Sequence, residues 1–326
     1  MSPAQFEASY SAQWDELEAL LAATEQRSRW RRATSQPADA ERLASLYRAV
    51  CEHLALARGR AYPIYLSERL EDLAHRAHRL IYRQHDIGWQ RLKRFFGREV
   101  PAALRAQWRY IAVAALLFAG PMLAMGLATW DEPARVLALM EVGQASGYED
   151  MYRGGEGKAL GRMRTADTDW QMFGFYVRHN TSIGFQCFAG GLLAGAGSVF
   201  FLVYNGLQIG GVAGFLTTRG HGENFWSFVA SHSPFELTAI VISGGAGLML
   251  GHALLAPGRL RRSQALAGAA RATVPLLGAI MLLFLVAAAL EAFWSSSAWV
   301  PPTAKYATSA LGWLLVWGYA RRGGRS

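Results

Sequence analysis

Apolar and polar positions are distributed in two different ways along this chain of 326 residues. In the first third they recur with helical spacing. Between Phe6 and Glu25 the apolar residues are Phe6, Tyr10, Trp14, Leu17, Leu20 and Leu21, which form one stripe on an α-helix. The stretch from Ser28 to Pro37, flanked and filled by Arg27, Arg29, Arg31 and Arg32, breaks that stripe. A second stripe of Leu43, Leu46, Tyr47, Val50 and Leu54 predicts a helix from Pro37 to about Arg58. A third, Leu66, Leu70, Leu73 and Leu80, predicts one from Pro63 to about Tyr82. Residues 84–107 then interleave Trp89, Leu92, Phe95 and Phe96 with Arg91, Lys93, Arg94 and Arg98. That is the pattern of a basic amphipathic helix at a lipid headgroup layer.

From Tyr110 the pattern changes to long uncharged runs. About 20 apolar residues suffice to cross a hydrocarbon core of ~30 Å. Spans are predicted at about 110–128, 183–204, 205–218, 234–256, 274–294 and 306–319. The 205–218 segment is short, rising only about 21 Å as a helix, and could be re-entrant. Residues 130–179 form a sizeable extramembrane loop that carries Gly154, Gly155, Gly157 and Gly161. The expected fold is all-α: a helical region over 1–107 followed by a polytopic membrane domain over 108–326 with about six transmembrane helices.

Charge orients this arrangement. Residues 1–107 hold 17 of the 33 basic and 13 of the 24 acidic residues. Within the membrane domain, Arg259, Arg261, Arg262 and Arg271 occupy one loop, and Arg321, Arg322 and Arg325 the C-terminal end. Basic loops stay cytoplasmic. These segments fall on one side only if the short segment crosses, which places both termini in the cytoplasm and loop 130–179 outside. The formal charge of +9 is thereby explained by topology, and nucleic acid is not an expected partner. The first 30 residues lack the apolar core of a cleavable signal peptide. Cys51 and Cys187 show no metal-type spacing.

Against this apolar background a few polar groups stand out. Glu236 and Glu291 are each the single carboxylate of a predicted span. An ionised side chain at the bilayer centre costs roughly 2.5–3.5 kcal/mol on insertion scales. His232 precedes Glu236 by four residues, which puts both on one face of a helix. The predicted topology gathers His232, Glu236, Glu291, Arg178, His179 and Asn180 at the outer end of the bundle, with Asn205 as a further polar position. Such a cluster fits a structural polar lock, a ligand or transport site, or, with His232, Glu236 and Glu291 as candidate ligands, a divalent metal site. HExxH, GxSxG and phosphate-loop patterns are absent, so no catalytic residue and no cofactor are expected. Small residues recur every four positions at Gly191 and Gly195, at Gly206, Gly210 and Gly214, and at Ser243, Gly247 and Gly251, with Gly244 and Gly245 alongside. These are ridges for close helix packing, within one chain or in a homo-oligomer.

Several of these blocks together resemble the stage II sporulation protein M family of integral membrane proteins. They are Arg178-His179-Asn180, Phe188-Ala189-Gly190-Gly191, Asn205-Gly206 with Gly210, His232-Ser233-Pro234-Phe235-Glu236, Ser243-Gly244-Gly245-Ala246-Gly247-Leu248, and Leu290-Glu291-Ala292-Phe293. Leu46-Tyr47-Arg48 and Arg79-Leu80-Ile81-Tyr82 resemble the family's longer, non-sporulating members. His179-Asn180 stands where the family often has Asn-Asn, and Ser233-Pro234 where glycine commonly follows the histidine. The resemblance implies a multi-pass protein of the cytoplasmic (inner) membrane that assembles other envelope proteins, with a MoxR-type ATPase system as a neighbour, and points away from catalysis. A transporter or flippase of a small or lipid-like substrate and a metal-dependent membrane hydrolase are the alternatives.

Overall fold

The computed structural model describes residues 1–30, 37–81, 87–153 and 166–322. They are all helix, turn and loop, with no strand among the described residues. The chain divides into two compact units, Met1–Gln90 and Arg91–Ser326.

The first unit contains α1 (Pro3–Trp30), α2 (Pro37–Gly59) and α3 (Ile64–Ile81). The stripes read from the sequence meet in one core. Phe6, Trp14, Leu17 and Leu21 pack with Leu46, Val50 and Ala57 and with Leu66, Leu70, Leu73 and Ala77. Heptad-like recurrence of large side chains buries one face of each helix and leaves the others to water. α1 continues past the expected end at Glu25 to Trp30, since arginine and glutamine are good helix formers. Arg31, Arg32, Tyr82 and the glycines of 154–161 lie outside the described residues.

α4 (Ile87–Arg94) leads through a π-turn at Phe95–Glu99 to α5 (Val100–Ala106) and α6 (Trp108–Asp131). There follow α7 (Val142–Tyr152), α8 (Ala166–Ala189), α9 (Ala196–Leu216), α10 (Gly222–Val229), α11 (Ser233–Leu255), α12 (Arg262–Ala289) and α13 (Pro302–Arg322). Among the described residues four helical stretches are long and apolar enough to cross a membrane: Trp108–Asp131, Ala196–Val229, Ser233–Leu255 and Arg262–Ser295. α8 and α13, with 24 and 21 residues, are less apolar.

Two boundaries differ from the sequence expectation. The unit boundary falls at Gln90, not near 107. Phe95 fills the space opposite Gly278 of α12, and the Tyr319 hydroxyl donates to the Phe96 carbonyl at 2.6 Å. Residues 91–107 thus belong to the second unit. The expected spans 183–204 and 205–218 do not meet at 204. The helix breaks instead at 190–195, where Gly190–Leu192 form a 3-10 turn and Gly195, at φ +87°, opens α9. The Gly-Gly and Ala-Gly pairs make this the cheaper place to turn. The short segment is thereby absorbed into a helix of 21 residues.

Contacts fix the helix directions in the second unit. Gly206, Gly210 and Gly214 of α9 sit on the carbonyl oxygens of Phe118, Met122 and Gly126 of α6, with numbers rising together, so these helices run parallel. A Cβ at any of the three would fall on those oxygens. Gly191 against Gly247 and Gly195 against Gly251 set α8 parallel to α11. Gly244 against Leu202 and Gly247 against Ser198 set α11 antiparallel to α9, and Gly184 against Phe284 together with Ser243 joins α8, α11 and α12. Gly245 rests on Ile111. Taken in order, α6, α8, α9, α11 and α12 alternate in direction. α13 starts beside Ser231 and Ser295 and ends near Phe96, which continues the alternation.

Candidate functional site

The N-terminus of α11 and the C-terminus of α12 lie at the same end of this unit. His232 is the N-cap of α11, and Pro234 occupies its first turn, where a missing N–H is harmless. One helical turn carries the chain to Glu236, so its carboxylate returns to the imidazole: His232 Nε2 lies 3.7 Å from Glu236 Oε2. α12 passes into a π-turn at Leu290–Ser295. That turn continues the buried face of Phe284, Ala287 and Ala288 to Ala292 and Ser295, and Glu291 sits on it. One ligand-type atom from each of His232, Glu236 and Glu291 lies within 4.8 Å of the others.

A chain of hydrogen bonds fixes the imidazole. Its Nδ1 lies 3.1 Å from Ser295 Oγ. Lys305 Nζ donates to the Ser295 carbonyl at 2.7 Å, and Ser231 Oγ donates to the Lys305 carbonyl at 3.3 Å. Ser231, His232, Ser295 and Lys305 are all buried. Three elements, α11, the π-turn and α13, are therefore tied at one point. On another side the Phe228 ring meets His232 edge-on, and Tyr152 meets Phe228 and Phe225. Burial pushes the Tyr152 phenol up, and Glu291 adds to the effect, ahead of Tyr176, Tyr148 and Glu236. Tyr152 is thus a neutral hydroxyl close to two carboxylates. Tyr176 of α8 packs with Ala288 and Ala292, on either side of Glu291 in sequence.

The remaining polar candidates fare differently. Asn180 is buried on the face of α8 that also carries Tyr176, and its Nδ2 has no hydrogen-bond partner among the described residues. Arg178 and His179 point outward, and the His179 ring stacks on Phe175. Helical geometry rotates each successive residue by about 100°, so three consecutive polar residues cannot all face one centre. Asn205 donates to the carbonyl of Phe201 in its own helix at 2.7 Å. Arg178 and His179 thus lie off the buried face of α8, and the Asn205 amide is turned to its own helix.

Sequence reasoning passed over Tyr152, Tyr176 and Lys305. Lys305 had a signal: it is one of three lysines among 33 basic residues, placed where a span begins. Tyr176 had one too, four residues before Asn180 and so on its face.

Comparisons with known proteins agree with the division into two units. The family model described as Stage II sporulation protein M matches residues 113–296. A second model, described as a domain of unknown function (DUF8413), matches residues 4–83. No curated protein and no solved structure matches the chain.

Proposed function

The chain belongs to the stage II sporulation protein M family, and from that premise we propose that it is a multi-pass scaffold of the cytoplasmic (inner) membrane. It holds envelope proteins together and performs no chemistry of its own. The observation that carries this reading is the construction of the bundle. Its helices touch backbone to backbone through Gly206, Gly210 and Gly214 and through Gly191, Gly195, Gly247 and Gly251. Such contacts make a rigid platform. The alternating directions of α6, α8, α9, α11, α12 and α13 support six crossings, and the basic loops support cytoplasmic termini. In this topology the separately cored N-terminal unit is the cytoplasmic docking module, with a MoxR-type ATPase as the partner suggested by family resemblance. His232, Glu236 and Glu291 form the polar centre at the outer end.

Photocrosslinking from Leu56 and Tyr65, both exposed on the N-terminal unit, tests the proposal in growing cells. Recurrent adducts with one defined envelope protein are expected. Purified chain in vesicles that moves a labelled lipid or solute faster than empty vesicles overturns it in favour of transport. That second reading has one observation of its own. The π-turns at Thr217–His221 and Leu290–Ser295 and the break at 190–195 interrupt three helices, and interrupted helices line substrate sites in transporters.

A further inference from the structure

We propose that His232, Glu236 and Glu291 bind one divalent transition-metal ion, which clamps α11 to α12 at the outer end of the bundle. The proposal deepens the scaffold reading, since it rests on this centre being internal to a membrane domain. Three features of the geometry carry it.

The first is spacing. Ligand atoms that share a tetrahedral zinc ion sit ~3.4 Å apart, given bonds of ~2.1 Å. The 3.7 Å from His232 Nε2 to Glu236 Oε2 is close to that. The set as a whole, within 4.8 Å, closes onto an ion by about 1 Å of side-chain rotation.

The second is charge. Two carboxylates this close repel each other, and at low dielectric the repulsion is large. Lys305 is buried nearby with its ammonium on the Ser295 carbonyl, and its single positive charge offsets at most one of the two negative ones. A divalent cation with two carboxylates and a neutral imidazole sums to zero charge, which removes the conflict without importing a further group.

The third is the surrounding shell. A metal-bound histidine offers one ring nitrogen to the ion, and its other nitrogen is held by a protein acceptor. Here Ser295 Oγ stands at Nδ1, which leaves Nε2 on the side of Glu236. Ser295 is in turn held by Lys305 through its carbonyl. One nitrogen and two carboxylates select Zn²⁺, Mn²⁺ or Fe²⁺ over Mg²⁺. Three protein ligands leave a fourth position for water.

Full-length protein in detergent, stripped with chelator and dialysed against Zn²⁺ or Mn²⁺, provides the test. Elemental analysis should return about one ion per chain. Loading should raise the melting temperature, and E291Q should lower affinity at least about tenfold. Co²⁺ substitution should give visible absorption bands that are lost in E236Q. H179A, whose ring faces outward, should bind as the parent does, which separates site binding from adventitious binding. Absence of stoichiometric metal in the folded parent overturns the proposal, as does undiminished binding by well-folded E291Q. Either result leaves the crosslinking of the N-terminal unit untouched, so failure here is distinguishable from failure of the scaffold reading.

Discussion

The two units of this chain solve the problem of burial in opposite ways. In residues 1–90 the interior is large and apolar, with Trp14, Phe6, Leu17 and Leu66 fully enclosed. The exterior is charged: Arg42 pairs with Glu16, Arg58 with Glu71, and Arg69 with Asp15. In the second unit the large side chains face outward, as Leu116, Leu127, Phe185 and Phe200 do. Its closest helix contacts are made by glycine, and the His232, Glu236 and Glu291 cluster is internal. Water drives apolar groups together in the first unit. Lipid supplies no such force between helices, so the second relies on close packing and on internal polar contacts. The same residue type thus has opposite meaning in the two halves. A leucine is mostly core before Gln90 and mostly coat after it.

The sharpest way to break this contrast is to remove the largest core side chain of the first unit. Trp14 is fully buried, and its indole N–H donates to His53 Nδ1 at 3.1 Å. Trp14→Ala should cost about 3–5 kcal/mol by cavity formation, with the His53 acceptor left unmet in addition. Hydrogen exchange of α1–α3 in the full chain reads the effect. Near-native protection would mean that the large-residue core does not hold this unit.

The complementary change adds one methyl group to the second unit. A Cβ at Gly210 meets the Met122 carbonyl, which is backbone and cannot swing aside. Gly210→Ala should destabilise by about 1–3 kcal/mol through overpacking, measured as thermal unfolding in detergent. Gly120→Ala has open space around it and should stay within about 0.5 kcal/mol of the parent. Equal behaviour of the two variants would dismiss the claim that α6 and α9 meet through their backbones.

These two regions were also unequally legible. The helices of the first unit follow directly from the 3.6-residue recurrence of Leu, Phe and Trp, because one face is buried and the others are wet. In the second unit hydropathy reports only that a segment is apolar, and it does not say where the helix turns. The break at 190–195 was therefore hidden inside an uninterrupted apolar run. Its signal is backbone freedom at Gly190, Gly191 and Gly195, of which the four-residue spacing of Gly191 and Gly195 predicts only a packing ridge. For the site, His232 and Glu236 were legible from their spacing, and Glu291 from its rarity. Arg178 and His179 lie off the face that carries Tyr176 and Asn180, a phase that a run of polar residues does not by itself display. Tyr152 and Lys305 reach the centre from α7 and α13, and only tertiary structure brings them there.

Acid provides a gentler probe of the first unit. Burial holds the His53 imidazole below its ordinary value near 6.5, against a smaller opposing pull from Glu52. Nδ1 accepts the Trp14 bond, so the folded unit favours the neutral ring. The unfolded chain then binds more protons than the folded one below about pH 6.5. No penalty exists above that pH. Stability should fall as pH drops from 6.5 towards the lower folded value, with a slope of at most ~1.4 kcal/mol per pH unit for one group. Exchange protection of α1 and α2 measured across this window should track the loss. A flat profile would place the proton on the folded ring without cost.

The smallest effect should come from the charged exterior of the same unit. Arg42 donates to both carboxylate oxygens of Glu16, at 2.7 and 2.5 Å. The bond and the guanidinium charge hold the Glu16 carboxyl below its ordinary range. Yet both side chains are solvent-exposed, where solvent screens the attraction and ordering two long side chains offsets much of it. Arg42→Ala should therefore shift α1–α2 protection only slightly, and raising salt should erase most of the difference. An effect approaching that of Trp14→Ala would invert the comparison. It would mean that helix–helix attachment in the first unit is carried by its charged rim, and that the large apolar core shared by α1, α2 and α3 is secondary.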